Sequence, residues 1–153
     1  MNKTSQVSRK TNETDIDISL KINGIGERSI NTPVGFLNHM LDLFAKHGLF
    51  DLSIKAKGDM FIDEHHTVED IGIVLGQAFS KALGDKKGIN RYGFFILPMD
   101  EALATVAIDF AGRYAFTFNC DFQREKIGDL STELIFDFWD GFAQNAKVNL
   151  FIK

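Results

Sequence analysis

Cysteine is almost missing from this sequence, with Cys120 alone among 153 residues. An internal disulfide is therefore excluded, and Cys120, inside an alternating strand-like run, reads as a small core residue. An excess of basic charge is missing too. Lys and Arg total 17 against 21 Asp and Glu, a net charge of −4, which leaves no electrostatic footprint for nucleic acid. No apolar run approaches the length of a membrane span. The polar start, MNKTSQVSRKTNETD, has no apolar stretch of the kind a signal peptide needs, so the expected location is cytoplasmic. What is there is 44% hydrophobic residues, with 15 Phe, in a length that fits a single domain with a real core.

Chemistry-bearing side chains concentrate in one stretch, Asp63-Glu64-His65-His66-Thr67-Val68-Glu69-Asp70. It opens the longest helical pattern in the chain, where Val68, Ile71, Val74, Leu75, Ala78, Phe79 and Ala82 recur at helical spacing. On such a helix His65 and Glu69 share a face, whereas His66 is turned from His65 by one step, about 100°. Two imidazoles placed this way do not readily chelate one ion together. The spacing suits two metal ions, or one ion shared with a second motif. The acids of the stretch would equally suit a helix N-terminus with no metal, through the helix dipole.

In chain order, the polar lead gives way to a strand in which Ile16, Ile18, Leu20 and Ile22 alternate with polar residues. Asn23-Gly24-Ile25-Gly26 turns, and residues 27–31 are expected to pair back. Phe36 to Phe44 gives a helix stopped by Gly48, and Phe50, Leu52, Ile54 and Ala56 alternate as a strand. The His-His helix is expected to end at Gly84. Residues 102–110 and 114–122 alternate strongly, and Ala111-Gly112-Arg113 is expected to join them as a hairpin. After a polar loop, Ser131 can cap a helix carrying Leu134, Ile135, Phe138, Trp139 and Phe142, and a last strand begins at Val148.

The chain also repeats itself. A shift of 98 residues lays His39 on Asp137, Asp42 on Asp140, Phe44 on Phe142, Ala45 on Ala143, Leu52 on Leu150, Ile54 on Ile152 and Lys55 on Lys153. The expected fold class is α+β, a tandem ββ-α-β-α type repeat with helices packed on one face of each sheet. The first unit is residues 1–88 and the second residues 89–153. The second unit lacks its final helix, the counterpart of the His-His helix.

Phe36-Leu37-Asn38-His39-Met40-Leu41-Asp42, His47-Gly48, Asp63 to Asp70, Arg91-Tyr92-Gly93, Pro98 to Ala104 and Ala111-Gly112-Arg113 together resemble the imidazoleglycerol-phosphate dehydratase family. The similarity covers nearly the whole chain. It implies a hydro-lyase converting imidazole glycerol phosphate to imidazole acetol phosphate in histidine biosynthesis, with two manganese ions per site and no organic cofactor. It further implies a large homo-oligomeric shell with active sites between subunits. By the resemblance, His39, His65, His66 and Glu69 are metal ligands; Glu13, His39, His47, Arg91 and Arg113 contact substrate; and Glu13 and Glu69 act in catalysis. Asp137 stands where several members of the family place a metal-binding His. The family's second His-His-x-x-Glu motif and basic C-terminal tail are not among these residues. The expectation is therefore a truncated dehydratase, with an inactive fragment or assembly subunit as the alternative.

Overall fold

A computed structural model describes residues 3–153. In chain order the elements are β1 (Thr4–Lys10), β2 (Thr14–Lys21), β3 (Arg28–Asn31), α1 (Gly35–Gly48), β4 (Asp51–Gly58), α2 (His65–Leu83), β5 (Tyr92–Met99), β6 (Ala102–Asp109), β7 (Ala115–Phe118), β8 (Lys126–Ile127), β9 (Leu130–Ser131), α3 (Leu134–Ala146) and β10 (Asn149–Ile152). Two four-stranded sheets have equivalent orders, β1-β2-β4-β3 and β5-β6-β10-β7. In each, the outer strand β3 or β7 runs parallel to the strand that follows its helix, and the other pairings are antiparallel. The tandem α+β repeat is thus present in the fold. Within these residues no counterpart of α2 follows β10.

The repeat extends to backbone detail. Leu49 after α1 and Lys147 after α3, 98 residues apart, both take the left-handed conformation with φ of 55°. The next amide in each case, Phe50 or Val148, bonds to the Ala45 or Ala143 carbonyl at 3.0 and 3.1 Å. The helix ends at Gly48 as expected, but the left-handed residue is Leu49 and not that glycine. Its lack of a side chain serves instead to admit the Phe50 ring, which a β-carbon at Gly48 would overlap.

One core joins both halves. Ile16, Ile18, Leu20, Leu52 and Ile54 from the first sheet meet Val68, Ile71, Val74, Leu75 and Phe79 of α2, and Phe138, Phe142, Val148 and Leu150 complete the cluster. Each large aliphatic or aromatic side chain buried in this way contributes roughly 1.5–3 kcal/mol. The α1 N-terminus has no capping side chain of its own. Asp129, from the β8–β9 turn of the other half, accepts hydrogen bonds from the Gly35 and Phe36 amides at 2.6 and 2.9 Å, and those bonds hold its carboxyl below the usual range. A cap of this kind is worth about 1 kcal/mol and here also ties the two halves together.

The two sheets are unequally covered. The first has α2 along its inner face, whereas β5 is exposed along its whole length, including Phe94, Phe95, Ile96 and Leu97. An apolar cleft of about 500 Å³ remains between the helices and the second sheet, lined in part by Met40, Phe44, Leu97, Val106 and Trp139. Among the described residues, no helix is long and apolar enough to cross a membrane.

Four expectations are corrected. Part of the polar lead is β1, an edge strand whose alternate residues are half-buried although only Val7 among them is apolar. Residues 28–31 do not fold back on β2; they run parallel to β4, with Arg28 opposite Leu52. Ala111-Gly112-Arg113 closes no hairpin, because β10 lies between β6 and β7, and β7 stops at Phe118. Ser131 is not the cap of α3, which begins after Glu133; it belongs to β9 and donates to Glu64.

Candidate active site

The sixfold acid and imidazole cluster at the head of α2 divides by bonding partners into scaffold and working groups. Glu64, buried, accepts from the Ser131 amide and hydroxyl at 3.0 and 2.6 Å and lies 3.5 Å from the Lys126 ammonium. Its carboxyl sits below the usual range: burial pushes it up, and the Ser131 bonds and the Lys126 charge outweigh that. Asp70, also buried, accepts from Thr14 Oγ1 at 2.5 Å and from Arg9 at 3.1 and 3.3 Å, which pins β1 and β2 onto the helix. Asp63 Oδ1 accepts from the His65 amide at 2.9 Å and steadies the first turn. These three acids hold structure together, and His65, His66 and Glu69 are left to face outward.

The helix geometry delivers the expected i, i+4 pair, with His65 Nε2 3.7 Å from Glu69 Oε2. A third group arrives from α3, where Asp137 Oδ2 lies 3.8 Å from the same nitrogen. Glycine makes that approach possible. Gly72 and Gly76 of α2 face the Phe138 and Phe142 carbonyls of α3, and Gly141 of α3 faces the Glu69 carbonyl of α2. Among the described residues no three such donors are already drawn into a closed metal site. The two distances to His65 Nε2 are compatible with sharing one cation, because two ligand atoms each about 2.1 Å from it stand at most about 4.2 Å apart. One imidazole nitrogen and two carboxylates fit a hard divalent ion such as manganese.

His66 stacks beside this trio, its ring 5.8 Å from that of His65. Its Nδ1 lies 2.8 Å from Asp59 Oδ2. The Asp59 hydrogen bond raises the His66 pKa above its ordinary 6.5; desolvation opposes this, and the charges of Asp59, Glu13 and Asp63 add to it. Glu13, exposed in the β1–β2 turn, is near enough for its charge to act on His66, although the two are far apart in sequence.

The remaining expected residues are not gathered here. His39 is exposed on α1 against Phe36, with ring centroids 6.2 Å apart, and His47 is exposed in the last turn of α1. Arg91 makes a two-pronged pair with Asp109 at 2.7 and 3.1 Å and lies over the Tyr92 ring. Arg113 is close enough to help hold the Asp109 carboxyl low, after the larger effect of Arg91. Among the described residues no hydrogen bond or ion pair joins His39, His47, Arg91 or Arg113 to the α2 cluster. Asp59 carries no signal in the residue pattern, since no helical or strand period relates it to His66.

The family model described as imidazoleglycerol-phosphate dehydratase matches residues 32–153. The imidazoleglycerol-phosphate dehydratase of Acetivibrio thermocellus is 56% identical over 153 residues, which is all of this chain and 78% of that protein. The enzyme of the same name from Methylorubrum populi is 52% identical over 151 residues, 99% of this chain and 77% of that protein. The crystal structure of imidazoleglycerol-phosphate dehydratase from Staphylococcus aureus superposes with a TM-score of 0.87 at 41% identity, covering 98% of this chain and 82% of its own. That of the Pyrococcus furiosus protein gives 0.82 at 31%, covering 96% and 78%. On sequence and fold together, this chain belongs to the imidazoleglycerol-phosphate dehydratase family.

Proposed function

We propose that this chain is a manganese-dependent hydro-lyase of the cytoplasm that converts imidazole glycerol phosphate to imidazole acetol phosphate. The observation that carries the metal dependence is the convergence of His65, Glu69 and Asp137 across two helices. His65, His66 and Glu69 would hold manganese, with His39 of α1 as a further ligand. When bound, the metal supplies positive charge where the substrate imidazole accumulates negative charge.

The chain's own groups do the rest. Glu13, exposed and with its charge acting on His66, would carry a proton between the substrate carbon and solvent, and Glu69 lies within ion-pair distance of His65. Arg113 and Arg91 offer planar forks suited to a phosphate, and His47 adds a donor. Asp109 occupies two of the five donors of Arg91 and leaves three to bind a ligand. Residues 1–88 and 89–153 are taken as the two repeat units of one domain, which the matched strand orders support.

Among the described residues no hydrogen bond or ion pair joins the arginines to the α2 cluster, which supports a site completed by more than one copy. The exposed apolar strand β5 supports self-association into a homo-oligomeric shell, since contiguous apolar patches of this size mark interaction surfaces. Sedimentation velocity is expected to show assemblies well above the monomer, and a monomer at every concentration would remove this part of the reading.

The activity test is direct. Purified chain, stripped with chelator and reloaded with manganese, is incubated with imidazole glycerol phosphate, and the ketone product is followed by mass spectrometry. Manganese-dependent turnover is expected. His65→Ala and His66→Ala should each abolish turnover and lower the bound manganese measured by elemental analysis. Metal content unchanged in both variants would sink the metal assignment. Assembly and metal binding without turnover would favour an inactive assembly subunit.

A further inference from the structure

We propose that Asp59 is a positioning residue that fixes His66 as the Nδ1–H tautomer and so leaves Nε2 bare and turned to the open side of the site. Asp59 follows β4 directly, and its side chain is only 7% exposed while that of His66 is 45% exposed. An ionised carboxylate only accepts hydrogen bonds, so across the 2.8 Å contact the imidazole must donate from Nδ1. The proton on a neutral ring cannot be in two places, so the lone pair falls to Nε2. Gly58 holds the geometry: a β-carbon there would overlap Thr67 Oγ1, so the end of β4 and the first turn of α2 are in close contact.

A purely structural role does not account for Asp59. Its two buried neighbours on the same helix end show what the fold does with a structural acid. Asp70 has Arg9 and Thr14, and Glu64 has Ser131 twice and Lys126. Asp59 has one histidine, and among the described residues its buried Oδ1 has no hydrogen-bond partner at all. A buried acceptor left unmade costs stability, and a carboxylate kept under those terms with an imidazole as its sole side-chain partner is arranged for the imidazole's benefit. Carboxylates behind a ligating histidine do this elsewhere, by setting which nitrogen is available and where it points.

The consequence for metal rests on the reading of His66 as a ligand, whereas the tautomer does not, and the experiment separates them. In metal-free, 15N-labelled protein above the His66 titration, two-bond proton–nitrogen correlations report which ring nitrogen is protonated, with His66→Gln assigning the signal. Wild type is expected to show Nδ1–H and a bare Nε2. An Nε2–H His66 in wild type would overturn the proposal. Asp59→Asn should lose the single-tautomer signature and bind manganese about 10- to 100-fold more weakly by calorimetry, the usual range for such partners. If His66→Gln weakens manganese binding and a folded Asp59→Asn does not, the positioning role is wrong. If His66→Gln leaves manganese binding unchanged, the ligand reading fails and the tautomer measurement alone decides for Asp59.

Discussion

Gly72→Ala is expected to destabilise the protein by about 2 kcal/mol net and to draw Asp137 away from His65 and Glu69. A methyl group at this position would overlap the Phe138 carbonyl oxygen and stand only 3.0 Å from the carbonyl carbon. Those atoms belong to the backbone of α3, so no rotamer change relieves the clash and the two helices must separate. Overpacking of this kind costs typically 1–3 kcal/mol and occasionally more, and a backbone collision falls at the high end. Alanine returns about 1 kcal/mol through its better helix propensity, which sets the net figure and keeps the sign destabilising. The effect reaches the site because Asp137 lies one residue before Phe138 on α3, while His65 and Glu69 lie on α2. Urea unfolding gives the stability change and manganese calorimetry the functional one. A variant as stable as wild type with unchanged affinity would show that the glycine seam does not set the helix separation.

That seam illustrates which parts of the molecule can be read from residues alone. Helical spacing places His65 and Glu69 on one face, because both lie on a single element and the α-helix fixes their relation. The 98-residue repeat anticipates that α1 and α3 share a layout, and the matching left-handed residues Leu49 and Lys147 bear it out. What escapes is pairing between distant segments. The insertion of β10 between β6 and β7 leaves no mark on the local sequence, so two alternating runs with a glycine turn between them pass for a hairpin. Strand β1 escapes for another reason. Its inward positions include Ser5, whose hydroxyl donates to the Ala78 carbonyl at 2.8 Å, so the strand satisfies its inner face through polar bonding where an apolar alternation would normally announce it. Asp59 is hidden in the same way, since its partner is reached through a turn with no fixed period.

Asp137→His is expected to raise the ratio of zinc to manganese affinity about tenfold and to leave the fold intact. The repeat pairs position 137 with His39, and Asp137 Oδ2 stands 3.8 Å from His65 Nε2, within reach of a cation shared with Glu69. A carboxylate oxygen is a hard donor that suits manganese and magnesium, whereas an imidazole nitrogen raises affinity more steeply for zinc and copper. Replacing one by the other exchanges an oxygen donor near His65 for a nitrogen donor. The side chain of Asp137 is about one-third exposed and makes no hydrogen bond among the described residues, so the larger imidazole has room. Stability should therefore move little, as for most substitutions at open positions. Competition calorimetry with both metals, on wild type and variant, measures the ratio directly. A shift toward zinc assigns Asp137 to the coordination sphere. An unaltered ratio in a folded variant removes it and leaves His65 and Glu69 to bind without help from α3.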